Sequence, residues 1–388
     1  MKAGWQSKAL EEVCQFSSGL WKGEKPPFVN VGVIRNTNFT KEGALDDSDI
    51  AYLDVEAKKF EKRKLQFGDI ILEKSGGGPK QPVGRVVLFD KTEGDFSFSN
   101  FTAALRVLDA RELDFRFLHK LLYWTHLSGV TEGMQSHSTG IRNLDNDAYK
   151  AIKISFPSLA EQQRIVGILD AAFDGIATAK ANAEQNLQNA RALFASHLQS
   201  VFTQRGDGWA TKTVDQISTN LDNRRVPITK NVRSSGEYPY YGASGIVDYV
   251  ADYIFDGDAL LVSEDGANLL ARSTPIAFSV SGKYWVNNHA HILKFENMAT
   301  QRYVEFYLES IKLDEYITGA AQPKLNQKAL NSIPIPIPAS IEEQAKVVKS
   351  IESLSTETKH LESLYQRKLA ALDELKKSLL HQAFSGML

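Results

Sequence analysis

The chain has a single cysteine, Cys14, among 388 residues. An intrachain disulfide is therefore excluded, and one thiol cannot build a metal site by itself, which suits a reducing compartment. No apolar run approaches the roughly 18 residues that mark a membrane span. The segment Met1-Lys2-Ala3-Gly4-Trp5 is not followed by the apolar core of a secretion signal. The expectation is a cytoplasmic chain without a membrane partner. A basic excess is also lacking: 45 Lys and Arg stand against 47 Asp and Glu, for a net charge of −2. A free-standing non-specific nucleic-acid binder is usually more basic, so any such surface must be a local cluster or be completed by a partner. What is present is ordinary: 43% hydrophobic and 24% charged residues, enough for real cores, in a length that allows about two or three domains.

The dominant feature is an internal repeat. Leu144 to Phe202 realigns on Leu325 to Phe384. Ile152-Lys153-Ile154-Ser155-Phe156-Pro157 corresponds to Ile333-Pro334-Ile335-Pro336-Ile337-Pro338, and the same shift carries Glu161 and Gln163 onto Glu342 and Gln344. Ser196 to Phe202 matches Ser378 to Phe384 one residue out of step. Upstream the match is weaker. Phe67-Gly68-Asp69-Ile70-Ile71-Leu72 pairs with Asp256-Gly257-Asp258-Ala259-Leu260-Leu261, and Phe98 to Val107 with Val286 to Phe295. The order is globule, helix, globule, helix, with expected bounds 1–157, 158–205, 206–338 and 339–388. Short β-type runs (Ile70-Ile71-Leu72, Arg85 to Phe89, Ala104 to Val107) alternate with Gly, Pro and Asn turns, and helices are expected at 113–127 and near 301–313. Each globule reads as α+β.

The two remaining segments read as long helices. From Ala160 to about Phe202 there is no proline, and apolar or small residues recur at Ile165, Leu169, Ala172, Ile176, Ala179, Ala183, Leu187, Ala190, Phe194 and Val201. The second segment gives Val347, Ile351, Leu354, Thr358, Leu361, Tyr365, Leu372 and Leu379. Alternating spacings of three and four make a coiled-coil seam. Pro157 and Pro338 precede the helices, where a missing N–H costs little. At 1.5 Å per residue, about 43 residues make a rod of roughly 65 Å. Antiparallel pairing of the two helices would return the chain to its start and create a pseudo-two-fold axis with a globule at each end.

Candidate catalytic motifs fail on chemistry. Lys25-Pro26-Pro27-Phe28 resembles an amino-methyltransferase signature, but that signature needs Asn or Asp to accept a bond from the target amino group, and lysine only donates. Asp69…Glu73-Lys74 has the lysine adjacent to the acid, which alternation would put on opposite faces of a strand. Ser75-Gly76-Gly77-Gly78-Pro79-Lys80 lacks the Gly-Lys-Ser/Thr ending of a phosphate loop, and its glycines serve tight turns or close approach. Asn287-Asn288-His289 and His291 are not expected to form a metal cluster, since no cysteine or dense carboxylate set joins them, and structural hydrogen bonding is expected instead. No catalytic or metal-ligating residue is assigned.

The repeat resembles the specificity subunit of type I restriction–modification enzymes, over essentially the whole chain. The carriers are the two junctions, Ile154 to Val166 and Ile335 to Gln344. The second globule adds Tyr240-Tyr241-Gly242-Ala243-Ser244-Gly245, Val262 to Asn268, and Val286-Asn287-Asn288-His289-Ala290-His291. The resemblance implies two target-recognition domains, each reading half of a split site in double-stranded DNA. It implies helices that set the spacing and dock two modification subunits, which methylate adenine. Restriction subunits that translocate and cut would join them. No cofactor is expected in this chain; S-adenosylmethionine, ATP and magnesium belong to the partners. Two different readers on a fixed spacer fit an asymmetric site. The other readings are a coiled-coil scaffold whose globules bind protein, a specificity subunit with a different cutting partner, and a standalone methyltransferase, for which no cofactor motif is present.

Base edges call for Arg or Lys at guanine and Asn or Gln at adenine, and phosphates for Lys, Arg, Ser and backbone N–H. In the first globule these are Lys22, Lys25, Arg35, Asn36, Lys74, Lys80, Gln81, His137, Ser138 and Arg142. In the second they are Arg224, Arg225, Lys230, Arg233, Tyr241, Ser244, Asn268, Arg272, Gln322 and Lys324. Lys80 and Arg272 follow equivalent strand–turn units, and Arg142 and Lys324 precede equivalent junctions.

Overall fold

The computed structural model describes residues 4–20, 23–78, 81–138, 141–204, 206, 208–319 and 321–388, with only the backbone of 137 and 138. The chain divides into two compact units, Met1–Asn182 with Lys368–Leu388, and Ala183–Arg367.

In the first unit an antiparallel sheet runs in the order Cys14–Ser18, Thr102–Val107, Ile70–Glu73, Val86–Leu88. Its β-branched and leucine-rich strands are buried on both faces: Ile70, Ile71, Leu72 and Val87 are all sealed from solvent. One face packs on the helix Phe115–Leu127, whose first turn is capped by Asp114 accepting from the Arg116 and Phe117 amides. The other contributes to a second core with Phe89, Phe96 and Phe98. A further sheet holds Ala51–Glu56, Phe28–Ile34 and Phe96–Phe98. The strand Gln6–Ala9 pairs antiparallel with Lys153–Phe156.

The second unit repeats this plan. Its buried sheet runs Thr219–Asn220, Ala290–Lys294, Ala259–Ser263, Ala277–Val280, with the helix Met298–Ser310 packed against it and capped by Asn297. A second sheet joins Gly245–Val250, Ser235–Gly242, Lys283–Val286 and Phe255–Asp256. The strand Trp209–Thr213 pairs with Pro334–Pro338. A two-stranded ribbon needs its ladder N–H groups only at alternate residues, so three prolines are tolerated while Ile335 and Ile337 are buried. The expected helices at 113–127 and near 301–313 are thus Phe115–Leu127 and Met298–Ser310.

Two long helices follow, Leu159–Thr203 and Ile341–Ser385, each of 45 residues. Within the first unit Ile165, Val166 and Leu169 of one helix, and Leu380 and Ala383 of the other, enter the same core. Lys180 bridges Asp373 at 2.8 Å, and the Arg164 guanidinium donates to the Leu388 carbonyl at 3.1 Å. Within the second unit Leu198 and Phe202 share a core with Val348 and Ile351, and Arg191 bridges Glu362 at 2.6 Å. The junctions correct the alignment above by one residue. Gln162 and Gln344, not Gln163 and Gln344, are equivalent: the buried Gln162 amide donates to the Pro157 carbonyl, and Gln344 to that of Pro338. Beyond each junction the i,i+3 pairs Glu161–Arg164 and Glu343–Lys346 correspond too. The extra residue therefore enters between strand and helix, and the out-of-step ending expected near Ser196 is in force from the first turn.

Candidate nucleic-acid interface

One edge of each unit is polar and built from turns. In the first unit the hairpin Gln135–Ser138 and Ile141–Leu144 is extended by the glycine strand Ser75–Gly77. Gly76 sits at φ +105°, and a Cβ on Gly77 would meet the Gln81 carbonyl at 2.4 Å. The glycines thus allow the strand to lie against the following turn, the close approach expected of them. Side chains tie the edge together. Ser75 Oγ donates to Asn143 Oδ1 at 2.5 Å, Asn36 Nδ2 donates to the Ser75 carbonyl at 2.6 Å, and Gln135 Nε2 donates to the Val83 carbonyl at 3.0 Å. In the second unit the corresponding hairpin is Ile317–Thr318 with Lys324–Leu325. The two edges hang from the same bond: the Leu144 amide donates to the Lys74 carbonyl, and the Leu325 amide to the Glu264 carbonyl, both at 2.8 Å.

The predicted contact residues fall into groups. Lys25, Gln81, Arg224, Lys230, Ser244, Gln322 and Lys324 are exposed, with Arg224 lying over the Phe255 ring. Arg35 reaches Asp49 at 3.0 Å and Arg142 reaches Gln135 at 3.3 Å. Arg233 is held by Asp248 and the Ile228 carbonyl above the Tyr240 ring. Tyr241 packs against Phe278 and Tyr284. Asn268 closes its own loop, donating to the Thr274 carbonyl and accepting from Ser273 and the Thr274 amide. Arg272, at φ +50°, donates to the carbonyls of Leu308 and Ile311 and so caps the helix Met298–Ser310 from its C-terminal end. Its parallel with Lys80 is one of chain position. Lys22 and Lys80 lie outside the described residues, as do the side chains of His137 and Ser138.

One group was invisible in the sequence. His291 is joined by two carboxylates after all, from distant segments: Asp222 Oδ2 lies 2.5 Å and Glu264 Oε2 3.8 Å from its Nδ1, while its Nε2 faces the Leu325 carbonyl at 2.7 Å. Both ring nitrogens thus face oxygen acceptors. Arg225 completes the cluster at 2.6 Å from Glu264 and 2.8 Å from the Ala290 carbonyl, and Lys324 reaches Glu264 at 3.1 Å. Burial alone would push the Asp222 and Glu264 carboxyls up; His291 and Arg225 together hold both below the ordinary range. Asp222, Glu264 and His291 converge closely enough to ligate a cation. Arg225 and Lys324 already supply the countercharge, so the cluster acts as an internal ion network that pins the hairpin to the sheet.

The likeness to known proteins agrees with this arrangement. The model of the "type I restriction modification DNA specificity domain" matches residues 2–189 and again 206–368. The chain belongs to that family. It is a specificity subunit of a type I restriction–modification system and, like the family, non-catalytic. A putative type I restriction enzyme specificity subunit of Haemophilus influenzae is 35% identical over 147 residues, a match spanning 38% of this chain and 37% of the relative. The StySPI specificity subunit of Salmonella potsdam is 22% identical over 389 residues, covering 92% and 82% of the two chains. Two solved structures share the fold. A chain described with the complex assembly and conformational transition of the type I R-M system superposes with a TM-score of 0.79 at 16% identity, over 99% of this chain and 98% of that one. The HsdS subunit of Thermoanaerobacter tengcongensis gives 0.64 at 17%, over 100% and 98%.

In this specificity subunit the acids of the Asp69…Glu73-Lys74 segment have structural work. Asp69 takes both bonds of Arg106, each at 2.7 Å, and Glu73 those of Arg85 at 2.7 and 2.9 Å. Such bidentate pairs consume the carboxylate oxygens a metal would need. Among the described residues no helix is long and apolar enough to cross a membrane.

Proposed function

We propose that each of the two domains, 1–157 and 206–338, reads one half of an asymmetric, interrupted site in double-stranded DNA. The observation that carries this reading is a shared scaffold with divergent polar edges: the Leu144 and Leu325 hairpins hang from the same bond, yet their side chains differ throughout. The exposed members Lys25, Gln81, Arg224, Lys230, Ser244, Gln322 and Lys324 supply phosphate and base contacts, joined by Lys22, Lys80, His137 and Ser138. Arg35, Asn36, Arg142, Arg233, Tyr241 and Asn268 shape the edge and offer their remaining donors and acceptors. Arg225 and Arg272 act by holding the edge in place.

The helices pair as an antiparallel coiled coil that sets the distance between half-sites. Equal lengths and the bridges Lys180–Asp373 and Arg191–Glu362 support this. Their exposed apolar residues Leu193, Leu364 and Leu375 fit docking of two adenine-methyltransferase subunits. Those partners carry S-adenosylmethionine, and the restriction subunits that join for cleavage use ATP and magnesium. The test is co-expression with a modification subunit and long-read mapping of methylated adenine. Two short unlike blocks around an unspecified spacer are expected. An assembled complex that methylates no such motif would overturn the reading in favour of a protein scaffold.

A further inference from the structure

The two domains treat one equivalent position in opposite ways. The shared hairpin bond makes Lys74 of the first domain the counterpart of Glu264 of the second. Sheet register agrees: Glu73 pairs with Thr102 as Ser263 pairs with Ala290, one residue before each position. In the second domain Glu264 is met by Arg225, Lys324 and His291, so its charge is satisfied internally. In the first domain nothing equivalent surrounds the charge among the described residues. The strand position opposite His291 in the second sheet, next to Val262, is filled in the first by Ala103, next to Leu72. The segment 74–83 and the hairpin 135–144 contain no Asp or Glu. The neighbouring Glu73 is fully taken by Arg85. Lys74 is half-buried, burial pushes its ammonium below the ordinary lysine range, and among the described residues no acceptor bonds it.

A half-desolvated ammonium without a partner is costly in the free protein and is repaid only by an acceptor from outside. Of the glycines that follow in Ser75-Gly76-Gly77-Gly78, Gly78 has open space where a Cβ would stand. We propose that Lys74 is a DNA-contacting residue of the first domain, donating to an acceptor on the bound DNA of the first half-site, and that the second domain has no counterpart to it. This rests on the DNA-reading function proposed above. The acceptor is an oxygen or ring nitrogen of DNA, either the O6/N7 edge of a guanine or a backbone phosphate.

The experiment uses the full chain assembled with its modification subunit, and compares Lys74→Met, Lys74→Arg and Glu264→Gln. Methylated motifs are mapped, and duplex affinity is measured against salt. A base contact predicts that Lys74→Met relaxes one position of the first block and leaves the second block intact. A phosphate contact predicts an unchanged motif, weaker binding, and a fall of about 0.9 in the slope of log K against log salt. Lys74→Arg retains most of the wild-type behaviour in the phosphate case and less in the base case. Lys74→Met is expected to melt at or above the wild-type temperature, because it removes an uncompensated charge; Glu264→Gln melts lower. If Lys74→Met keeps motif, affinity and salt slope, or if it melts well below wild type and loses both blocks together, the proposal is overturned. A wild-type complex without any two-block motif would instead overturn the reading on which it rests.

Discussion

Arg225 has four oxygens within reach: Glu264, Asp222, and the carbonyls of Asp222 and Ala290. Removing one partner of such a network leaves the others uncompensated in a poorly hydrated place, at a cost of about 3 kcal/mol. Glu264→Gln and Arg225→Met are therefore both expected to lower the unfolding free energy of the second domain by about that amount, read from urea titrations followed by far-UV circular dichroism. The same network has an acid limit. Asp222 and Glu264 are held below their unfolded values, so their contribution is present at neutral pH and is lost as pH falls below about 4. His119 in the first domain acts earlier. Burial pushes its ring down to about 4, with Nε2 shut off from solvent. Between about pH 6.5 and that value the unfolded chain binds a proton that the folded one does not, so stability declines on acidification by up to about 1.4 kcal/mol per pH unit. His119→Gln should flatten that part of the unfolding profile. None of these roles could be read from the sequence. Asp222, Glu264 and His291 are separated by long stretches of chain, and only the folded sheet makes them neighbours. Arg272 looked like a surface cation because a helix end more than thirty residues away is what receives it.

At the scale of elements the junction glutamines stand out. Gln162 accepts from the Asp114 amide at 2.8 Å and donates to the carbonyls of Glu112 and Pro157. It thereby ties the long helix to the start of Phe115–Leu127. Gln344 makes two such bonds, to Thr300 Oγ and the Pro338 carbonyl. Gln162→Leu takes this partner from three backbone groups, one buried and two half-buried, and should cost about 2–3 kcal/mol, more than Gln344→Leu; paired denaturant titrations decide the order. Both helices were legible because periodic apolar positions without proline over more than forty residues allow little else. The buried strands were legible as apolar runs. The glycine strand Ser75–Gly77 and the paired hairpin were not: they carry no apolar alternation, and backbone pairing with Ile141–Leu144 is what makes them strands. The junction alignment failed by one residue because two adjacent glutamines, Gln162 and Gln163, offer the same letter, and only burial distinguishes them.

For the whole molecule the half-site reading proposed above makes the domains exchangeable parts. Replacing residues 206–338 with the equivalent domain of a specificity subunit of different target should change one block of the methylated motif and leave the other, as read by long-read sequencing. The division into units carries a consequence for how the chain comes into being. The second unit is continuous, Ala183–Arg367, whereas the first needs Lys368–Leu388 to complete it. Phe384 packs edge-on against Phe117 at 5.4 Å, and Leu380 and Ala383 are sealed in the same core. A ribosome makes the first domain early and this last helical piece late. The slot around Phe117 and Leu121 stays uncovered until that piece is made, so the later domain is expected to finish folding ahead of the N-terminal one. This reverses the usual N-to-C order of domain folding. Nascent chains arrested after Arg367 behind a linker long enough to bring Arg367 clear of the ribosome, and challenged with protease, should show the second unit protected and the first still cleavable.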